Sequence, residues 1–356
     1  MSRERDPRRK PQRSRPAHPF ARPKPPPNPQ VEQERSRAAG LLLGLACGDA
    51  MGYPIERKPL ARIREHYGRS GIQDLPRDAR FSDDTQQAVA VAEALARVGA
   101  ASAAIVLREV AWELLNWARS PESNRAPDPD SIHGARQLER GLRAAPDPAA
   151  VSAAVLVRVL PVGYFYAGRA QERDQLAAAV ARLTHGHPVA IEAAVLAAQA
   201  ADLAGREPPS SWLSELQASC TRAELRSALE LLVAAERVED ADLALQRIGE
   251  GWDAASALAL ALYVVRRHPD DLRAGIARAV NFGGDSDTVG ALVGGLLGLR
   301  LGAEAVPPPW LRRLEKSTYL QRLAAALARR RGATLKRKGR LLALDASARG
   351  ETPRLE

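Results

Sequence analysis

Two short acidic clusters hold the residue types for metal-assisted chemistry: Phe81-Ser82-Asp83-Asp84-Thr85 and Gly283-Gly284-Asp285-Ser286-Asp287-Thr288. Each offers two carboxylates and a hydroxyl within a few positions. Taken singly, either reads as a helix N-terminus, where acids complement the dipole and cap free N–H groups. Taken together they suggest more. Four carboxylates in one cleft repel one another unless a cation neutralises them. An all-oxygen donor set suits a hard divalent ion such as Mg, Mn or Ca rather than zinc. The glycine pair before Asp285 lets backbone approach closely.

The elements that must position these groups are helical. Ser82 is an N-cap candidate, with Asp83 and Asp84 in the first turn of a helix running to about Arg97. Val289–Gly298 is a small-residue, apolar run that reads as a buried helix after the second cluster. Upstream, a helix beginning near 31–35 carries Ala38 to Cys47 and is expected to break at Gly48-Asp49. Its glycines at 40, 44, 48 and 52 form a stripe for tight helix contact. Asp49 and Glu56 lie at its end, where either could face the acids.

Residues 57–80 read as a basic surface loop. Further helices are expected at about 101–117, 132–143, 172–183, 189–204, 222–235, 240–249, 254–266 and 287–301, on stripes such as Leu225, Leu229 and Leu232. One more is expected at about 311–330. Arg158, in an apolar stretch, reads as a paired structural cation. No convincing alternating strand and no repeat of 20–50 residues is visible. The fold class is therefore all-α, a single compact multi-helix domain with disordered basic ends: 1–30 a Pro/Arg-rich tail, 31–315 the domain, 316–356 a basic, partly helical tail. A chain of about 31–320 is expected to suffice for folding.

Composition narrows the function. Of 356 residues, 45% are apolar but only 4% aromatic, so the core must be built from Ala, Leu and Val, which favours helices. Two cysteines without a CxxC pair suggest neither a zinc ribbon nor a disulfide framework. The net charge of +10 sits at the ends: residues 1–35 carry +6 and 312–356 carry +9, leaving 36–311 at −5. Few aromatics interleave with those charges, so a nucleic-acid contact through the basic tails is not favoured. No apolar leader region is visible, and the Leu41–Ala46 run is too short to span a membrane. A cytoplasmic protein without a membrane partner is expected.

The clusters and their order resemble the ADP-ribosylglycohydrolase family, which includes dinitrogenase-reductase-activating glycohydrolase. Gly40 to Glu56 looks like that family's opening motif, and Phe81–Thr85 like its aromatic-Thr-Asp-Asp-Thr motif. His185-Gly186-His187-Pro188, Gly283–Gly290 and Pro307–Trp310 follow in the family's order. The resemblance covers about 38–315. It implies a binuclear Mg or Mn centre in an all-α fold: Ser82, Asp83 and Asp84 facing one cation, Asp285 and Thr288 the other, Asp287 bridging. It implies Asp84 or Glu56 as the catalytic base, and His185, Gly284 and Glu56 as substrate-binding. The implied activity is hydrolysis of the glycosidic bond of ADP-ribosylated protein side chains, or of a small ADP-ribosyl compound, with release of ADP-ribose. The alternative is a non-catalytic binding or regulatory protein on the same fold. One departure stands out. Ser152-Ala153-Ala154-Val155-Leu156-Val157-Arg158 occupies the place of the family's Gly-Asn-Gly stretch, whose glycine loop approaches the bound nucleotide.

Overall fold

Asn28 caps the first helix, α1 (Pro29–Gly52), by accepting a hydrogen bond from Gln30 N (2.9 Å), with proline at the first helical position. The computed structural model describes residues 28–121, 124–142 and 145–348, with side chains described as far as 334. The expected N-terminal tail up to residue 27, and residues 349–356, lie outside that set. After α1 come α2 (Leu60–Tyr67), α3 (Asp83–Val98), α4 (Ala103–Arg119) and α5 (Pro129–Gln137). The middle of the chain supplies α6 (Ala154–Val157), α7 (Leu160–Phe165), α8 (Ala170–Ala181), α9 (Pro188–Ala204) and α10 (Pro209–Ser219). It continues with α11 (Ala223–Ala235) and α12 (Ala241–Ile248). The last group is α13 (Ala254–Arg267), α14 (Leu272–Val280), α15 (Ser286–Leu301), α16 (Pro308–Arg313) and α17 (Ser317–Ala348). The described residues contain no strand, only two isolated bridges, Ala79 with Leu314 and Ser152 with Asp253.

The centre is an antiparallel pair, α1 against α15. A Cβ built on Gly40, Gly44 or Gly48 would stand 1.9–2.1 Å from the carbonyl oxygens of Gly298, Gly294 and Gly290 respectively. One built on Gly52 would meet Ser286 O at 2.3 Å. No side chain fits between these backbones. The contact explains why α1 does not break at Gly48-Asp49 as the sequence suggests. Glycine destabilises a helix chiefly through backbone entropy and exposure to water, and here α15 covers those turns. By length and composition the Pro29–Ile55 stretch could cross a membrane, but most of it is buried inside the protein. α15 is buried on every side from Ser286 to Leu299, the pattern of a helix at the middle of a domain.

Two expectations need correction. The 57–80 segment is not all loop: α2 carries Ile63 into the core. The packed domain also runs past 315, because α17 buries Leu320, Leu323, Ala324 and Leu327 against the bundle. A basic stretch conceals this amphipathic face, since its arginines flank the leucines at helical spacing.

Two outcomes follow. Gly44→Val should cost about 3 kcal/mol or more, because the added side chain meets backbone that cannot move aside; urea denaturation measures it, with Gly332→Ala, in open space and without a left-handed φ, as the baseline for an added Cβ. A chain ending at 334 should keep the melting temperature of the full chain, whereas one ending at 320 should lose several degrees as the apolar face of α17 disappears.

Candidate active site

The end of α1 and the starts of α3 and α15 meet because the glycine contact brings them together. Asp49, fully buried in the last turn of α1, clamps the start of α3. Its Oδ1 accepts from Ser82 N (2.7 Å); its Oδ2 accepts from Thr85 N (3.0 Å) and Thr85 Oγ1 (2.5 Å). Ser82 caps α3, its Oγ accepting from Asp84 N (3.3 Å). At α15, Asp285 is the N-cap and accepts from Thr288 N (3.4 Å). Gly283 takes φ 91°, a left-handed conformation that suits glycine. Gly284 lies where a Cβ would collide with Glu250 O, and Asp285 N donates to that same oxygen at 2.8 Å.

One hydrogen bond joins the two clusters. Thr288 Oγ1 donates to Asp84 Oδ2 at 2.8 Å, while Asp84 Oδ1 is buried with no partner among the described residues. The pocket above them is lined by Glu56, Asp83, Asp84, Asp285, Asp287 and Thr288, together with Arg57, Asp128, Ser152 and Trp252. It encloses about 60 Å³, room for ions or a few waters rather than a nucleotide. Glu56 stands at the mouth and pairs with Arg57 Nε at 2.9 Å. Arg57 in turn lies over the Trp252 ring, 5.7 Å from its centroid. Three sequence-predicted residues do not line the pocket. Ser82 lies beneath it as a cap, Gly284 packs on the Glu250 backbone, and His185 is fully buried behind Ser152. Asp128 and Trp252 were not legible in advance. Asp128 N donates to Asp83 Oδ2 (3.2 Å), and Trp252 is brought in by the bridge between Ser152 and Asp253.

Electrostatics sets the character of the site. Burial pushes the Asp285 carboxyl up to about 7 and that of Asp49 to about 6. Asp83, Asp84 and Asp287 are held well above the usual carboxylate range, first by burial and then by the charge of neighbouring carboxylates: Asp128 and Asp49 for Asp83, Asp83 and Asp49 for Asp84, Asp285 and Asp84 for Asp287. A hard cation fits this donor set in kind: all-oxygen and acidic, with the buried Asp84 Oδ1 unpartnered among the described residues. Among the described residues no three acidic, His or Cys side chains already converge on one ligand point. Like charges stand apart, and Asp83 spends Oδ2 on Gln87 Nε2 (2.6 Å). A larger groove of about 510 Å³ lies on another face of α3, between α4 and α17. Its acids are engaged: Glu113 with Arg97, Glu93 with Tyr319, Glu315 with Arg125.

A model of the ADP-ribosylglycohydrolase family matches residues 30–336. The ADP-ribosyl-[dinitrogen reductase] glycohydrolase of Rhodospirillum rubrum is 27% identical over 290 residues, 78% of this chain and 90% of that protein. The ADP-ribosylarginine hydrolase Tri1 of Pseudomonas putida is 25% identical over 311 residues, 83% of this chain and 79% of that protein. Among solved structures, an ADP-ribosylglycohydrolase-related protein complex superposes with TM-score 0.66 at 29% identity, covering 84% of this chain and 99% of that one.

The raised carboxyl pKa values predict a pH dependence. In the fold Asp285 and Asp49 hold protons, up to about 7 and about 6, that unfolded carboxylates release near 4. The folded state therefore binds more protons in that window, and without divalent ions stability should fall as pH rises from about 4 to about 7. Melting temperature against pH, with EDTA or with saturating Mn, is the measurement. The fall should appear with EDTA and flatten with Mn.

Proposed function

The chain belongs to the ADP-ribosylglycohydrolase family and is a glycosidic-bond hydrolase of that kind; from that premise we propose that it uses two divalent cations, Mg or Mn, to release ADP-ribose from an ADP-ribosylated protein side chain or a small ADP-ribosyl compound. The observation that carries the cation reading is the Thr288–Asp84 hydrogen bond, which unites both acidic clusters over one pocket. Asp83, Asp84, Asp285, Asp287 and Thr288 would hold the cations there, with Ser82 fixing the turn from below. When bound, such cations supply positive charge for the ribose hydroxyls and acidify a water. The rest falls to the chain. Cleavage at the anomeric carbon passes through an oxocarbenium-like transition state, so the ribose must rest with that carbon facing the acid-lined pocket. Glu56 is the better base. It is the more exposed of the two candidates, Arg57 engages Oε1, and Oε2 has no partner among the described residues. Asp84 also has an oxygen without a partner among the described residues, but it is buried among the carboxylates that would hold the cations. Arg57 and Trp252 line the same rim, where an ADP-ribosyl group too large for the inner space would rest.

Calorimetric titration of Mn and an assay of ADP-ribose release from ADP-ribosyl-arginine and ADP-ribosyl-serine peptides test the proposal together. Asp287→Ala should abolish Mn binding and turnover. Glu56→Gln should keep Mn binding and lower kcat about 10²- to 10⁴-fold. Wild-type protein that binds no Mn would remove the cation reading. Of the Ser152–Val155 stretch, Ser152, Ala153 and Ala154 line the pocket and place side chains where a glycine loop would approach a diphosphate. Losing one or two charge-assisted hydrogen bonds, each worth about 1.5–3 kcal/mol, should raise KM roughly 10- to 1000-fold over a relative with the glycine loop. The effect on kcat should be smaller. A KM equal to that of such a relative would refute the loop argument.

A further inference from the structure

Arg158 is fully buried and makes no ion pair among the described residues, contrary to the paired cation expected from the sequence. Its guanidinium instead donates to three uncharged acceptors: NH1 to Gln87 Oε1, NH2 to Thr184 Oγ1, and NH2 to His185 Nδ1 at 3.1 Å. A guanidinium has donors only, so every group it touches must present an acceptor. That requirement orients two side chains whose hydrogen-bond sense is otherwise ambiguous.

The consequences run outward along two arms. On the first, Gln87 must turn its oxygen to Arg158, so its Nε2 donates to Asp83 Oδ2 (2.6 Å). On the second, His185 Nδ1 is an acceptor for Arg158 and lies 2.7 Å from Thr184 Oγ1. The ring proton therefore sits on Nε2 and is donated to Ser152 Oγ at 2.8 Å. The Ser152 hydroxyl passes the sense on, donating to Asp128 Oδ2 at 2.8 Å. Both arms end on carboxylates that line the pocket, and both end on Oδ2. The Oδ1 atoms of Asp83 and Asp128 have no partner among the described residues. Burial and the neighbouring guanidinium also hold the imidazole well below its usual pKa, consistent with a neutral ring.

We propose that Arg158 is a positioning residue for the acid cluster: from behind the pocket it dictates the hydrogen-bond sense of Gln87 and His185, and so which oxygen of Asp83 and of Asp128 is left for the pocket. His185 thereby acts through Ser152. For Asp83 the inference deepens the cation reading and rests on it; for His185, Ser152 and Asp128 it stands without it.

The test is the tautomer of His185 in the full chain, read from long-range ¹H–¹⁵N correlations, with the signal assigned by its loss in His185→Gln. A neutral ring protonated on Nε2 throughout the neutral pH range is expected. Arg158→Met should give a mixture of tautomers. A charged ring, or one protonated on Nδ1, in the wild type overturns the proposal, and that measurement needs no variant to fold. The Asp83 arm has its own readout: Gln87→Leu should weaken Mn affinity about 10- to 100-fold by calorimetry with the helical circular dichroism unchanged. Unchanged affinity in a folded Gln87→Leu protein overturns that arm. Failure of the wild type to bind Mn would sink the cation reading alone and leave the tautomer to decide the rest.

Discussion

The backbone-to-backbone contact between α1 and α15 is the constraint on which the rest depends. Four glycines on one helix oppose three glycines and Ser286 on the other, in antiparallel register. The contact does two things at once. It allows a core poor in aromatics to be dense, because the helices approach as closely as their backbones permit. It also sets Asp49, near the C-terminal end of one helix, beside Asp285 to Thr288 at the N-terminal end of the other. A shift of one turn along the helix, about 5.4 Å, would carry Asp49 away from Ser82 and Thr85. The acid site is thus a consequence of the packing at the centre, and mutations in the glycine stripe act on both.

Around that contact the protein stores electrostatic tension. Asp83, Asp84, Asp285 and Asp287 are each nearly buried, and burying charge without compensation is costly. Part of the compensation is local: Gln87 Nε2, the backbone N–H groups of Asp128 and Thr288 and the Thr288 hydroxyl donate to one oxygen of each carboxylate. Those bonds do not offset burial and, after it, the repulsion of neighbouring carboxylates, which is why several of the carboxyls are held above their ordinary range. A fold selected for stability alone would place apolar residues there. The arrangement makes sense when the same oxygens serve a cationic or partly cationic partner during hydrolysis.

Arg158 shows how charge can act without pairing. Without an ion pair among the described residues, it organises neutral groups, and through them the acids. Desolvation lowers its pKa to about 10, still far above neutral, so its donor pattern is constant under physiological conditions. Ser152 is the outward end of one arm. Its hydroxyl answers to His185 on one side and Asp128 on the other, so the residue that departs from the family's glycine loop is also part of the wall of the pocket.

Much of this protein was legible in its sequence. Helix-start chemistry at Ser82 and Asp285 is local, decided by a side-chain oxygen and the free N–H groups two or three residues on. The apolar spacing of most helices is likewise local. The stripe at Gly40, Gly44, Gly48 and Gly52 announced a close contact, and the order of the acidic motifs pointed to the family. Other features belonged to tertiary structure. The partner of the stripe could not be read, because register between distant helices depends on interlocking shapes. A helix at about 311–330 was expected, but the packing of α17 on the bundle was hidden, because its arginines dominate the composition while its leucines do the packing. Asp128, Trp252 and the burial of His185 depend on which loops cross above the pocket, and the sense of each hydrogen bond around Arg158 exists only once the groups are side by side. Spacing along a chain specifies what a helix end can do; only packing decides which helix ends share a pocket.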